Sequence, residues 1–193
     1  RSMGLDRSAG ALLLAQSDAP GAACAAEIEL MEAACTTAGA KEVFVTTDPE
    51  EGELFVAARR ATFPAIEARG AILLEDVGVP VPQLPELLAG IAAVADRYSL
   101  EIPVVAHAGD GNTHPIVVYD RGDPDARNRA YRAFDEIMHL AIGLGGTITG
   151  EHGVGRAKKA ALPAQLGPEV MALSFTIKKA LDPLGILNPG AIF

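Results

Sequence analysis

Apolar positions along the chain follow two periods, and they alternate. The run "LLLAQ" at Leu12–Gln16 is strand-sized and is followed by the loop "SDAPG". Ile28, Met31, Cys35 and Ala38 then recur at helical spacing, with Gly39 placed to stop the helix. Glu42–Thr47, "EVFVTT", has the Val, Phe and Thr content of a strand. Asp48-Pro49-Glu50-Glu51 is a helix start: Asp48 caps, Pro49 suits the first turn and Glu51 can reach back. That helix runs through "LFVAARRATFPAIEA", with Pro64 expected to break or kink it.

Ala71–Val77 reads as the next strand. Pro82–Tyr98 is a helix whose apolar face is Leu84, Leu87, Leu88, Ile91, Val94 and Tyr98. "EIPVVAH" and "HPIVVYD" are two strands around a Gly-rich loop. Asp123-Pro124 starts a helix with the stripe Tyr131, Phe134, Ile137, Met138 and Ile142, ended by Gly145-Gly146. Beyond it the texture changes to a Gly-rich charged segment, two short helical pieces near 157–166 and 169–181, and a Pro/Gly-punctuated end that reads as pinned loop. The expectation is an α+β domain over 1–146 and a small helical subdomain over 147–193. The opening "RSMG" carries no structural signal and reads in part as an expression remnant.

Charge narrows the function. A net charge of −9 argues against nucleic acid and anionic membrane surfaces as partners. No apolar run is long enough to span a bilayer and no signal peptide is visible. Cys24 and Cys35 share one predicted helix and are not spaced like a metal knuckle, which fits a reducing compartment and a cytoplasmic location.

Two of the four histidines bracket one loop, "HAGDGNTH". With Asp110-Gly111 as a two-residue turn, His107 opposes His114 and both imidazoles point to one face. Two such rings can bind one divalent ion; the plain alternative is a surface hairpin with incidental histidines. A metal asks for a further ligand, commonly a carboxylate, and "GEHG" offers Glu151 beside His152. Two histidines and a carboxylate leave coordination positions open, which is a catalytic layout. His139, within an amphipathic helix, reads as structural or surface. The Gly-rich "GEHGVGRAKK" matches neither common nucleotide-binding loop.

"HAGDGNTHP", "GGTITGEHGVGRAKK" and "LDPLGILNPG", in that order, resemble one family, the C-terminal substrate domain of FAD-linked 2-hydroxy-acid oxidases and dehydrogenases. "ARRATFPAI" and "DVGVP" also fit. The resemblance implies a ferredoxin-like antiparallel sheet with helices on one face. It also implies an N-terminal FAD-binding domain that is absent from this chain, so that the chain is a fragment or one half of a split enzyme, inactive alone. It places His107, His114 and Glu151 as ligands of a divalent metal (Zn, Fe or Mn), His152 as base and Arg59 as anchor of the substrate carboxylate. Helix register decides between Arg59 and Arg60. Asn112 and Asn188 match positions near the site or the flavin.

The implied partners are a small 2-hydroxy acid, an FAD-binding domain or subunit, and an electron acceptor the sequence does not name. Three positions depart from the family pattern: Val56 stands where a Trp is common, Glu75 where the hydroxyglutarate-type members carry Lys, and Ala191 where NPGK is usual. Two other classes compete: a metal-dependent hydrolase using the same His-His-Glu set, and a non-catalytic ferredoxin-like binding module.

Overall fold

The computed structural model describes residue 6 and residues 8–193; the opening residues discussed above fall largely outside them. The chain divides into two units, 1–63 and 64–193.

The first unit contains helix α1 (Ala22–Thr37) and most of helix α2 (Pro49–Glu67). Cys24, Ile28, Met31 and Cys35 form the least exposed line of α1, at the predicted spacing, yet no residue of α1 is buried. Asp48 caps α2 by accepting from Glu50 N–H at 2.8 Å. Glu51 turns to the Thr46 hydroxyl at 2.7 Å instead of reaching back to the cap. α2 continues through Pro64 to Glu67, so Pro64, where a break or kink was expected, does not break the helix. The two expected strands, 12–16 and 42–47, carry no β-ladder. A strand is defined by a hydrogen-bonded neighbour, and within this unit neither segment has one. Leu12, Leu13 and Phe44 are exposed accordingly.

The second unit is built around one sheet. Strands β1 (Ala71–Leu74), β2 (Val77–Gly78), β3 (Val104–His107) and β4 (Asn112–Tyr119) are all antiparallel to their neighbours, with β4 at the centre. β1 and β2 lie end to end along one side of β4 and β3 along the other. The single predicted strand 71–77 is thus interrupted at Glu75-Asp76. A single antiparallel bridge, Gly78↔Thr147, adds a vestige of another strand beside β2. That order is compatible with the expected ferredoxin-like arrangement.

Helices α3 (Leu84–Tyr98) and α4 (Pro124–Gly143) supply most of the rest of the core, with Val79, Ile148, Val154, Ala161 and Leu162 added from outside them. Leu87, Ile91 and Val94 of α3 meet Phe134, Ile137 and Met138 of α4 and Val117 of β4. Fully burying each large apolar side chain contributes about 1.5–3 kcal/mol. Alanines 126, 130, 133 and 141 complete the buried stripe of α4 and allow close approach, whereas Tyr131, expected in that stripe, is exposed. Asp123 caps α4 as predicted, accepting from Asp125 N–H at 2.8 Å.

Helix α5 (Leu162–Leu181) is interrupted at Gly167, which gives two helical pieces as expected, but the first begins at Leu162 and residues 157–161 form turns. The end of the chain is tied down. Asp182 accepts from Ile186 and Leu187 N–H at 3.0 Å each, and Ile192 N–H reaches Gly155 O at 2.9 Å. Among the described residues no helix is long and apolar enough to cross a membrane.

Candidate metal centre

The hairpin β3–β4 differs from its predicted register. His107 pairs with Asn112 and His114 with Val105, so the loop has four residues, 108–111, instead of two. Asp110 and Gly111 N–H both donate to His107 O, and Asp110 Oδ1 accepts from Asn112 N–H. Only Gly111 takes positive φ, at 78°, and a Cβ there would lie 2.1 Å from Val79 O. The slip is two residues, an even number, so the face is preserved. His107, Asn112 and His114 share the face opposite Val117, and the two imidazole centroids stand 5.3 Å apart, edge to face.

Residues 149–152 bring the remaining groups. Glu151 Oε1 lies 3.0 Å from His114 Nε2, 3.6 Å from His107 Nε2 and 3.7 Å from His152 Nε2. The His152 ring stacks on His114 at 4.9 Å. One ligand atom each from Asp76, His114, Glu151 and His152 lies within 4.8 Å of the others; His107 stands outside this tightest group, beside Glu151. Ligand atoms about 2.0–2.1 Å from a tetrahedral ion sit about 3.3 Å apart, so the spacings around Glu151 Oε1 suit a divalent metal. His114 is buried while its Nδ1 has no hydrogen-bond partner among the described residues.

Asp76, not anticipated from the sequence as a site residue, organises the loop. It is fully buried, and its Oδ2 accepts from the Thr149 hydroxyl (2.9 Å) and from the N–H groups of Gly150 (2.9 Å), Glu151 (3.1 Å) and His152 (2.8 Å). Burial alone would raise its carboxyl. The His152 N–H, the Thr149 hydroxyl, the Glu151 N–H and the Lys158 charge outweigh that and bring it down to about 2.

Glu75, beside it, is also fully buried. Lys158 Nζ meets Glu75 Oε2 at 2.9 Å and donates to Asp76 O and Ile148 O at 2.7 Å each. Desolvation still pushes the Glu75 carboxyl up, against the pull of Lys158. Glu75 is therefore held inside the protein by an ion pair. The signal for this trio was an acidic pair closing the apolar run "AILL", since buried carboxylates require partners; the identity of the partner, 82 residues away, left no local trace.

The other expected residues are dispersed. Asn112 is buried with its Oδ1 unpartnered among the described residues, and it fills the space beside Gly150, where a Cβ would come within 2.3 Å of it. Asn188 is exposed in the C-terminal loop at φ 49°. Arg59 belongs to the first unit, is exposed, and forms no ion pair among the described residues; Arg60 is paired with Glu53 at 2.7 Å. His139 is on the exposed side of α4, 3.9 Å from Asp135. An open cleft of about 510 Å³ adjoins the cluster, bordered by Gly78, Asp110, Asn112, Gly146, Gly150 and Glu151.

An antiparallel α+β scaffold presenting a His-rich cluster on one sheet face defines a class, and sequence comparison names it. Residues 1–192 match the family described as FAD linked oxidases, C-terminal domain, and the chain belongs to that family. It is 38% identical to glycolate oxidase subunit GlcD of Bacillus subtilis over 99% of this chain and 41% of that protein. It is 36% identical to glycolate oxidase subunit GlcD of Escherichia coli over 94% of this chain and 37% of that protein. It is 41% identical to the mitochondrial D-lactate dehydrogenase (cytochrome) of Arabidopsis thaliana over 62% of this chain and 21% of that protein. The chain thus spans about two fifths of the length of these glycolate oxidase relatives, and less of the plant enzyme.

Proposed function

We propose that this chain is the substrate- and metal-binding part of an FAD-dependent oxidoreductase of D-2-hydroxy acids, of the glycolate or D-lactate type. The observation that carries the reading is the gathering of three imidazole Nε2 atoms around a single oxygen of Glu151. The relatives named for glycolate and D-lactate support the substrate class, and the family supports FAD.

His107, His114 and Glu151 would hold the divalent ion. When bound, the ion supplies Lewis acidity that favours loss of the substrate hydroxyl proton, and FAD supplies the hydride acceptor. His152 accepts the hydroxyl proton on Nε2; an imidazole is suited to this near neutral pH. Its stacking on His114 holds it at the edge of the ion site. The cleft beside Glu151 has the volume of a small-molecule site. Arg59 would grip the substrate carboxylate through paired N–H donors. Asn112, with an unpartnered buried oxygen, suits a polar group of a bound molecule, and the flavin contact of Asn188 rests on the family pattern. The flavin itself would be held by an N-terminal FAD-binding domain or subunit, outside the segment shared with the relatives, and this chain alone would be inactive. The hydrolytic reading has no observation of its own.

The test joins this chain to its FAD-binding part, in cis or in trans, and follows dye reduction with glycolate and D-lactate. Reduction that requires both partners, and that is lost in His114→Ala and Glu151→Ala together with the metal, is the expected result. A flavin-loaded assembly that reduces no dye with any 2-hydroxy acid would overturn the proposal.

A further inference from the structure

Asp76 stands between the two segments that carry the candidate ligands. On one side, three consecutive N–H groups, those of Gly150, Glu151 and His152, and the Thr149 hydroxyl all converge on its carboxylate. Such a run of N–H groups forms a concave nest for an anion, here an internal one. Thr149 also accepts from Gly153 N–H at 2.7 Å, which closes the turn. On the other side, Asp76 Oδ1 stands 3.9 Å from His114 Nδ1, beyond hydrogen-bond distance, and that buried ring nitrogen has no partner among the described residues. The backbone of Asp76 is itself fixed, its N–H by Glu75 Oε2 at 2.9 Å and its carbonyl by Lys158.

We infer that Asp76 is the positioning residue of this centre, setting the turn that presents Glu151 and His152 beside His114. This role rests on the metal reading proposed above. Groups that hold a ligating side chain in place tune the affinity of the site. A single carboxylate sets the turn from which both Glu151 and His152 project. Asp76 touches neither substrate nor ion in this role. Its burial explains why an acid can sit this close to the centre without joining it: its oxygens are already committed to the loop.

The experiment compares wild type, Asp76→Asn, Thr149→Ala and, as a stability control, Ile137→Val, each in the full-length protein that carries this chain. Two quantities are read: apparent metal Kd by chelator competition and thermal midpoint of the metal-free protein. Asp76→Asn should weaken metal binding roughly 10- to 100-fold. Thr149→Ala, which removes only the hydroxyl donor, should weaken binding less. Ile137→Val should lower the midpoint and leave the Kd unchanged. An Asp76→Asn protein with wild-type Kd overturns the inference, as does a Kd loss in Ile137→Val equal to that in Asp76→Asn. Should Asp76→Asn not fold, a wild-type Kd in Thr149→Ala overturns it. A wild type that binds no metal overturns the metal reading itself, and the inference with it.

Discussion

The two units use similar residues to opposite ends. In 64–193 the apolar stripes of α3 and α4 close over a sheet, and seven residues of α4 are buried. In 1–63 no described residue is buried, although α1 has its own apolar line and the strand-like runs are as apolar as β3 or β4. Ion pairs differ in the same way. Lys158 and Glu75 are enclosed, while Arg60 and Glu53 are about two-thirds exposed. Sequence periodicity sets what a segment offers; burial is set by whether another element takes up the offer.

The largest effect that would test this contrast lies in the ion pairs. Lys158→Met should cost about 3–5 kcal/mol, because Glu75 would be left buried without its partner. Arg60→Met should cost at most about 1 kcal/mol. Urea unfolding of the two variants measures both, and a tolerated Lys158→Met would break the comparison. Next come the apolar stripes. Ile137→Ala, at a fully buried position, should lose about 2–5 kcal/mol. Leu30→Ala, at a position 70% exposed, should stay within about 0.5 kcal/mol. Equal losses would mean that the face carrying Leu30 is covered in solution.

Gly150→Ala sharpens the account of the site, since its Cβ would overlap Asn112. A loss of about 1–3 kcal/mol is expected, with weaker metal binding because the turn carrying Glu151 shifts. Calorimetry of the metal-free and metal-loaded protein separates the two effects. The smallest effect belongs to the C-terminal latch. Hydrogen bonding from Lys178 leads the causes that hold the Asp182 carboxyl below its ordinary 3.8, with support from the N–H groups of Leu187 and Ile186. A depressed carboxyl stabilises above the unfolded value and loses that contribution as pH falls through the folded one. Wild type should therefore exceed Asp182→Asn in thermal midpoint above about pH 4, and the gap should close as the medium is acidified below it. A gap that widens toward low pH would contradict the sign.

Local chemistry was legible where it is self-contained. Asp123-Pro124 and Asp48-Pro49 start helices because the cap acts within three residues, and Gly167-Pro168 interrupts α5 for the same kind of reason. The hairpin was legible in its face but not in its register. The turn takes four residues, and its Gly111 lies against Val79, just past the end of β2; the Val79 N–H donates to Gly111 O at 3.1 Å. The runs at 12–16 and 42–47 read as strands on composition, and composition cannot supply the edge to which they would bond.

By itself, then, the sequence determined the helices, the even spacing that puts two histidines on one face, the presence of "GEHG" and, through three motifs, the family. The tertiary structure decided which apolar runs became core and that Glu151 meets His114. It also showed that Asp76, which looks like the charged end of a strand, is the anchor of a loop 73 to 76 residues further on. The division follows from range. Capping and periodicity act over a few residues, whereas burial and the satisfaction of a buried carboxylate depend on groups that only the fold brings together.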